Sequence, residues 1–160
     1  MAENSETKQA QNRAVEKLRE RFADMQIDVY EFRGDTTVTI PLGKLMEVIT
    51  FLKTDPELQF NHFTDLAGVH YPEREKPFEV IYNLTSIPNL QRIRVKVNVG
   101  AGEKPPSMTA LWSAANWHER ELYDMFGIQV EGHPDLTRMF LPDDFEDFPL
   151  KKDFPLRGRN

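Results

Sequence analysis

Apolar and polar positions change period several times along the chain, and each change marks an element. Between about Gln9 and Met25 the apolar residues Val15, Leu18, Phe22 and Met25 recur at helical spacing, which predicts an amphipathic helix. Ile27–Phe32 and Thr36–Ile40 read as two short strands, with Arg33-Gly34-Asp35 as the hairpin turn between them. Leu42, Leu45, Met46, Ile49 and Leu52 return to helical spacing; Pro41 suits the first turn of that helix, which should stop before Pro56. Three further strands are predicted, at about Phe63–Tyr71, Phe78–Leu84 and Gln91–Val99. In the last of them Ile93, Val95, Val97 and Val99 alternate with Arg92, Arg94, Lys96 and Asn98. One face is therefore core. The other carries three cations, as a solvated face or as a docking face for an acidic partner.

Residues 100–106, GAGEKPP, read as a loop. Ser107 or Thr109 is placed to cap a last helix that runs to about Phe126, and Gly127 to end it. The predicted fold class is α+β: an antiparallel sheet of about five strands packed with helices on one side. It forms a single domain over residues 1–141, with 1–8 disordered, followed by an extended C-terminal arm over 142–160.

Composition narrows the chemistry. With 160 residues the chain is long enough for one domain with a real core, although 39% hydrophobic and 29% charged residues leave room for a tail. A formal charge of −6 argues against a nucleic-acid face. There is no cysteine, which excludes disulfides, thiol nucleophiles, thiolate zinc and cysteine-ligated iron–sulfur clusters. No run approaches the roughly 18 apolar residues of a membrane span, and MAENSETKQAQNRAVEKL lacks the apolar core of a signal peptide. These features predict a soluble cytoplasmic protein, able to sit on a membrane-bound partner.

The last helix carries the most chemistry. Leu111, Ala115, Leu122, Met125 and Phe126 fall on one stripe, with Glu119 at one margin and His118 at the other. Arg120 is in reach of Asp124 at i+4, and Glu121 lies three residues from His118. Charges at the rim of a buried face are costly unless partnered. Three readings are open here: ordinary surface ion pairs, a metal or acid–base site of His118, Glu121, Asp124 and His133, or a polar network reaching the Arg138 segment or another subunit. The spacing matches no standard metal motif. Gly132-His133-Pro134-Asp135 resembles a turn, and the planar fork of Arg138 suits a carboxylate such as Glu119 or Glu121.

Residues 142–160, PDDFEDFPLKKDFPLRGRN, show no helical or strand period, but they repeat Asp-Phe-Pro-Leu at Asp147–Leu150 and Asp153–Leu156. Disordered tails lack aromatics, whereas this one holds Phe145, Phe148 and Phe154. That favours an arm whose anchors fit pockets on a partner over one folded back on its own domain.

At this point TALWSAANWHERELYDMFGI with GHPDLTRMFLPDDFEDFPLKKDFPLRG resembles the 30-kilodalton subunit family of respiratory complex I, the NADH:quinone oxidoreductase. The family signature falls on Glu119, Arg120, Glu121, Asp124, Met125, Phe126, His133 and Arg138. Relatives often have consecutive Arg residues where this chain has Thr137 then Arg138. They often read Gly-His-Pro-Leu-Arg-Lys-Asp where it has Asp147-Phe148-Pro149-Leu150-Lys151-Lys152-Asp153. The resemblance implies a structural and assembly subunit of the peripheral arm, on the cytoplasmic side of a bacterial membrane. Its neighbours there would be subunits D, B and I; the first of these, the large quinone-site subunit, would be the main contact. The resemblance also implies that FMN and iron–sulfur clusters sit in partner subunits, that NADH and quinone are used by the complex, and that this chain holds no cofactor. Glu119, Arg120, Glu121, Asp124, His133 and Arg138 would form the polar network at the joint, with Phe148, Lys151, Asp153 and Phe154 anchoring the arm. An equivalent subunit of a membrane-bound hydrogenase or ferredoxin-dependent complex, and a stand-alone metal hydrolase using His118, Glu121 and His133, are the alternatives.

Overall fold

The computed structural model describes residues 13–155. The disorder expected for residues 1–8, the start of the first helix and the end of the arm lie outside these. Helix α1 covers 13–21, followed by strands β1 (Asp28–Phe32) and β2 (Asp35–Ile40). A 3-10 turn at Leu42–Lys44 opens onto α2 (Leu45–Thr54); then come β3 (His62–His70), β4 (Phe78–Ser86), β5 (Gln91–Val99) and α3 (Ala115–Phe126).

The β1–β2 hairpin closes on two residues, Arg33 at φ 52° and Gly34 at φ 88°. Both central residues are left-handed, and that turn twists in the sense the flanking strands require. The register runs from Phe32 opposite Asp35 to Asp28 opposite Thr39. β4 and β5 are joined by residues 87–90, too short a link for anything but an antiparallel pair of neighbours.

The strand order is β1-β2-β5-β4-β3, and β2 pairs with β5 in parallel, Thr36 opposite Ile93 and Ile40 opposite Val97. The α+β class, the five strands and the helical packing agree with the sequence reading. The wholly antiparallel sheet does not. Alternation fixes which face a residue takes, not which strand lies beside it, and the route from β2 through α2, β3 and β4 brings β5 alongside in the same direction.

Two compact units share the described residues: those up to 65 with 81–97, and 66–80 with those from 98 onward. In the first, Val38, Ile40, Tyr82, Leu84, Ile93, Val95 and Val97 are buried together with Leu18 of α1 and Leu45, Val48, Ile49 and Leu52 of α2. Lys17 of α1 bonds Asp55 at 2.8 Å, just past the end of α2, and Asp55 also accepts the backbone N–H groups of Glu57 and Leu58. In the second unit Leu66, Val80, Val99, Met108, Ala115, Leu122, Phe126, Ile128 and Val130 are buried. Gly68 lets β3 approach α3 closely: a Cβ there would stand 2.6 Å from Leu122 and 2.9 Å from Phe126.

Candidate functional site

α3 begins at Ala115, eight residues after the predicted cap at Ser107. The intervening stretch coils through turns, with Leu111 and Trp112 donating to the Met108 carbonyl and Ala115 to that of Trp112. Ser107 is a cap of a different kind. Its hydroxyl donates to Glu119 Oε2 at 2.7 Å and its oxygen accepts the Thr109 N–H at 3.2 Å. The Met108 N–H reaches Glu119 Oε1 at 2.6 Å. Glu119 therefore pins the strand-like entry to the helix from one turn inside it, and it is 1% exposed. The C-terminal end agrees with the sequence reading, since Gly127 takes φ 73° and donates to the Tyr123 carbonyl.

Asp124 is the second buried acid, with no exposed surface. Its Oδ1 receives Arg138 at 2.8 Å, and its Oδ2 receives three successive backbone N–H groups: Met139 at 3.0 Å, Phe140 at 2.7 Å and Leu141 at 3.2 Å. One carboxylate thus folds a whole turn of backbone. Arg138 in turn donates to the carbonyls of Phe145 and Asp147, and its guanidinium lies over the rings of Phe148 (5.1 Å) and Phe145 (5.8 Å). The partner of Arg138 is therefore Asp124, not Glu119 or Glu121. The expected Arg120–Asp124 pair gives way as well: Arg120 turns to the carbonyls of Thr137 and Arg138, with its guanidinium over Trp117. Asp124 is already taken by Arg138 and three backbone N–H groups, and the carbonyls of the segment it holds are in reach of Arg120.

His133 belongs with Glu119. Its Nδ1 accepts the Asp135 N–H at 3.1 Å, which leaves the proton on Nε2, facing the Asn116 carbonyl at 3.3 Å and Glu119 Oε2 at 3.8 Å. Glu121 is exposed and His118 half-buried. Among the described residues no three His, Asp or Glu groups converge to hold a metal, and Asp124 already has a full set of donors. The structure sorts these residues into two clusters, Glu119 with His133 and Asp124 with Arg138 and Arg120, and leaves Glu121 outside both.

The arm starts on its own unit. Phe148 lies against Gly127 and edge-on to Tyr123, and the Leu150 N–H reaches the Met125 carbonyl. Lys151 sits over Phe78 and Phe148, and the Lys152 N–H donates to Nδ1 of His70, a buried ring stacked on Phe78. Asp153 is exposed with Oδ1 3.9 Å from that ring, and Phe154 faces Phe145. Residues 142–155 are a series of turns, closed at Phe145, Lys151 and Phe154, where an extended arm was expected. Arg138 supplies the reason: it collects the carbonyls that an extended chain would leave to water. Sequence reasoning missed Gly68 and His70, and offered Ser107 only as a helix cap, not as the partner of Glu119. A Ser twelve residues ahead of a helical Glu and a Gly in a strand are signals, but neither names its partner.

The two acids respond to burial in opposite ways. Burial drives the Glu119 carboxyl above its ordinary 4.5, and the Ser107 and Met108 hydrogen bonds and His133 only partly offset it. Burial also raises Asp124, but the hydrogen bonds from Phe140, Met139, Arg138 and Leu141 outweigh it and hold that group below 3.8. For Glu119 a raised folded pKa means stability present below 4.5 that is lost as pH rises through the folded value. Glu119→Gln abolishes that ionisation. Urea unfolding between pH 4 and 7 should therefore show the variant gaining on the parent as pH rises; parallel curves would contradict the assignment.

Residues 38–160 match the family described as respiratory-chain NADH dehydrogenase, 30 Kd subunit. The chain belongs to this family. The corresponding NADH-quinone oxidoreductase subunit of Citrifermentans bemidjiense is 46% identical over 159 residues, covering 99% of this chain and 93% of the relative. That of Geobacter metallireducens is 48% identical, covering 92% and 91%. A chain of the membrane-bound sulfane sulfur reductase, an archaeal respiratory membrane complex, shares the fold with a TM-score of 0.73 at 22% identity, covering 91% of this chain and 85% of that one. The protein is thus a subunit of a respiratory complex. α3 and the contacts just described lie inside the matched residues. No helix among the described residues is long and apolar enough to cross a membrane.

Proposed function

We propose that the chain is a structural and assembly subunit in the peripheral arm of a proton-translocating NADH:quinone oxidoreductase, contributing no redox centre of its own. One observation carries this reading: the buried charges of α3 are engaged by this chain's own backbone and side chains, so the signature spends its chemistry on architecture. Glu119, Asp124 and Arg138 all hydrogen-bond to groups of this chain, and a chain without cysteine has no thiolate for a cluster. FMN and iron–sulfur clusters belong to partner subunits, and NADH and quinone are handled by the complex. The neighbours are the large quinone-site subunit and, nearby, subunits B and I, through which the chain is held at the cytoplasmic face of the membrane. The shared fold with a chain of the archaeal reductase complex supports a second reading, an equivalent subunit of a related complex with another electron donor.

The test is truncation after Lys152, which spares the acceptors of Arg138 and the Lys152 N–H but removes Asp153 and Phe154. The isolated truncated chain should melt near the full-length value, while assembled complex falls severalfold and turnover per assembled complex stays constant. Normal recovery of a complex containing the truncated chain would refute an anchoring role for that end. Co-purification with the tagged full-length chain, read by mass spectrometry, tests subunits D, B and I by name. NADH-dependent quinone reduction by that complex separates the two readings, and flavin or iron in the purified single chain would overturn the non-redox role.

A further inference from the structure

β1 is the outermost strand, with no described strand beyond it. In a hairpin closed on two residues, Phe32–Asp35, Tyr30–Thr37 and Asp28–Thr39 are the pairs that exchange both backbone hydrogen bonds. The N–H and C=O groups of Val29 and Glu31 therefore point outward, along the free edge. Natural sheets blunt such an edge with Lys, Pro or a bulge. The sequence of β1, DVYEF, contains no Lys or Pro, and its ladder to β2 runs without a break.

The edge instead displays two aromatics. Tyr30 and Phe32 are 63% and 55% exposed and stack with ring centroids 6.3 Å apart and planes at 12°. The guanidinium of Arg33 lies 5.1 Å over Phe32. By register the same face continues from Tyr30 through Thr37 to Arg94, which reaches Asn83 at 3.1 Å and Asp35 at 3.5 Å, with Arg92 exposed on the next row. The opposite face of β1 presents Glu31. Aromatics with an Arg beside them are the side chains that dominate protein interfaces.

We propose that the free edge of β1 receives an extended segment of a neighbouring subunit, which adds to the sheet as an outer strand. That segment lays apolar side chains on Tyr30 and Phe32, carries an acid toward Arg33 and a base opposite Glu31. Charge complementarity favours this occupant over a second copy. An antiparallel self-pair that keeps all five residues, centred on Tyr30, sets Glu31 against Val29 and Arg33 against Ile27, so neither charge meets its opposite. The inference uses membership of a multi-subunit complex and does not depend on which subunit supplies the strand.

Residue-resolved amide exchange on the purified complex and on the isolated full-length chain tests it. The Val29 and Glu31 amides should exchange roughly a hundredfold more slowly in the complex; equal rates in the two samples overturn the proposal. Protection already present in the isolated chain, and rising with its concentration, would assign the edge to a second copy instead. Val29→Pro removes an N–H that this sheet does not use. It should leave the melting of the isolated chain nearly unchanged and lower the yield of assembled complex severalfold; a normal yield also overturns the proposal. A complex that retains subunits D, B and I while both amides exchange freely would defeat this inference and leave the assembly role intact.

Discussion

Asp124→Ala should destabilise the isolated chain by about 3–5 kcal/mol, because it leaves a buried guanidinium uncompensated and strips three backbone N–H groups of their acceptor. That is a large share of the roughly 5–15 kcal/mol that holds a domain together. Arg138 is 9% exposed at its side chain and Asp124 not at all, so water cannot replace the lost oxygen without opening the segment. Arg138→Met alone should also be costly. The double variant Asp124→Ala/Arg138→Met should cost clearly less than the two together, since the orphaned charge is gone. Additive losses in urea unfolding would contradict the coupling. The pH response is opposite to that of Glu119. The folded pKa of Asp124 is depressed, so its contribution is present above 3.8 and is lost as pH falls through the folded value.

The second large effect is expected at Gly127. Its φ of 73° is one that a β-branched residue rarely adopts, and a Cβ there would stand 2.6–2.8 Å from three atoms of the Phe148 ring. Gly127→Val should cost about 2–4 kcal/mol from backbone strain and the displaced ring. It should also release the arm, read as faster tryptic cleavage after Lys151 and Lys152. Adding Phe148→Ala removes the clash but not the strain, so it should recover part of the stability while leaving the arm sensitive. Cleavage unchanged from the parent would show that Phe148 does not seat the arm.

Much of the fold is legible in the sequence where the code is local. Alternation located β5 to the residue, Arg33-Gly34-Asp35 announced the hairpin although Asp35 already pairs with Phe32, and Gly127 announced the end of α3. The start of α3 was not legible, because Leu111 and Ala115 continue the apolar stripe across a stretch that is coiled by hydrogen bonds accepted by the Glu119 carboxylate and the Met108 carbonyl. The site was legible in its residues but not in its pairs. Helical spacing offers Arg120 as the partner of Asp124, whereas the actual partner, Arg138, lies a loop away. Composition read the aromatics of the tail as anchors, and it could not say that Phe148 fits over a glycine of its own chain. Family resemblance singled out a set of charges; the geometry says that most of them hold backbone.

The parallel register of β2 on β5 has a consequence for how the chain is made. A ribosome delivers the β1–β2 hairpin first, while Ile93, the partner of Thr36, waits for α2, β3 and β4 to be synthesised. Until then β2 has an unpaired inner side and β1 an unpaired outer one, so the nascent hairpin is sticky on both flanks. Non-local pairing of this kind is slow to form. The vulnerable interval closes on one side when β5 emerges.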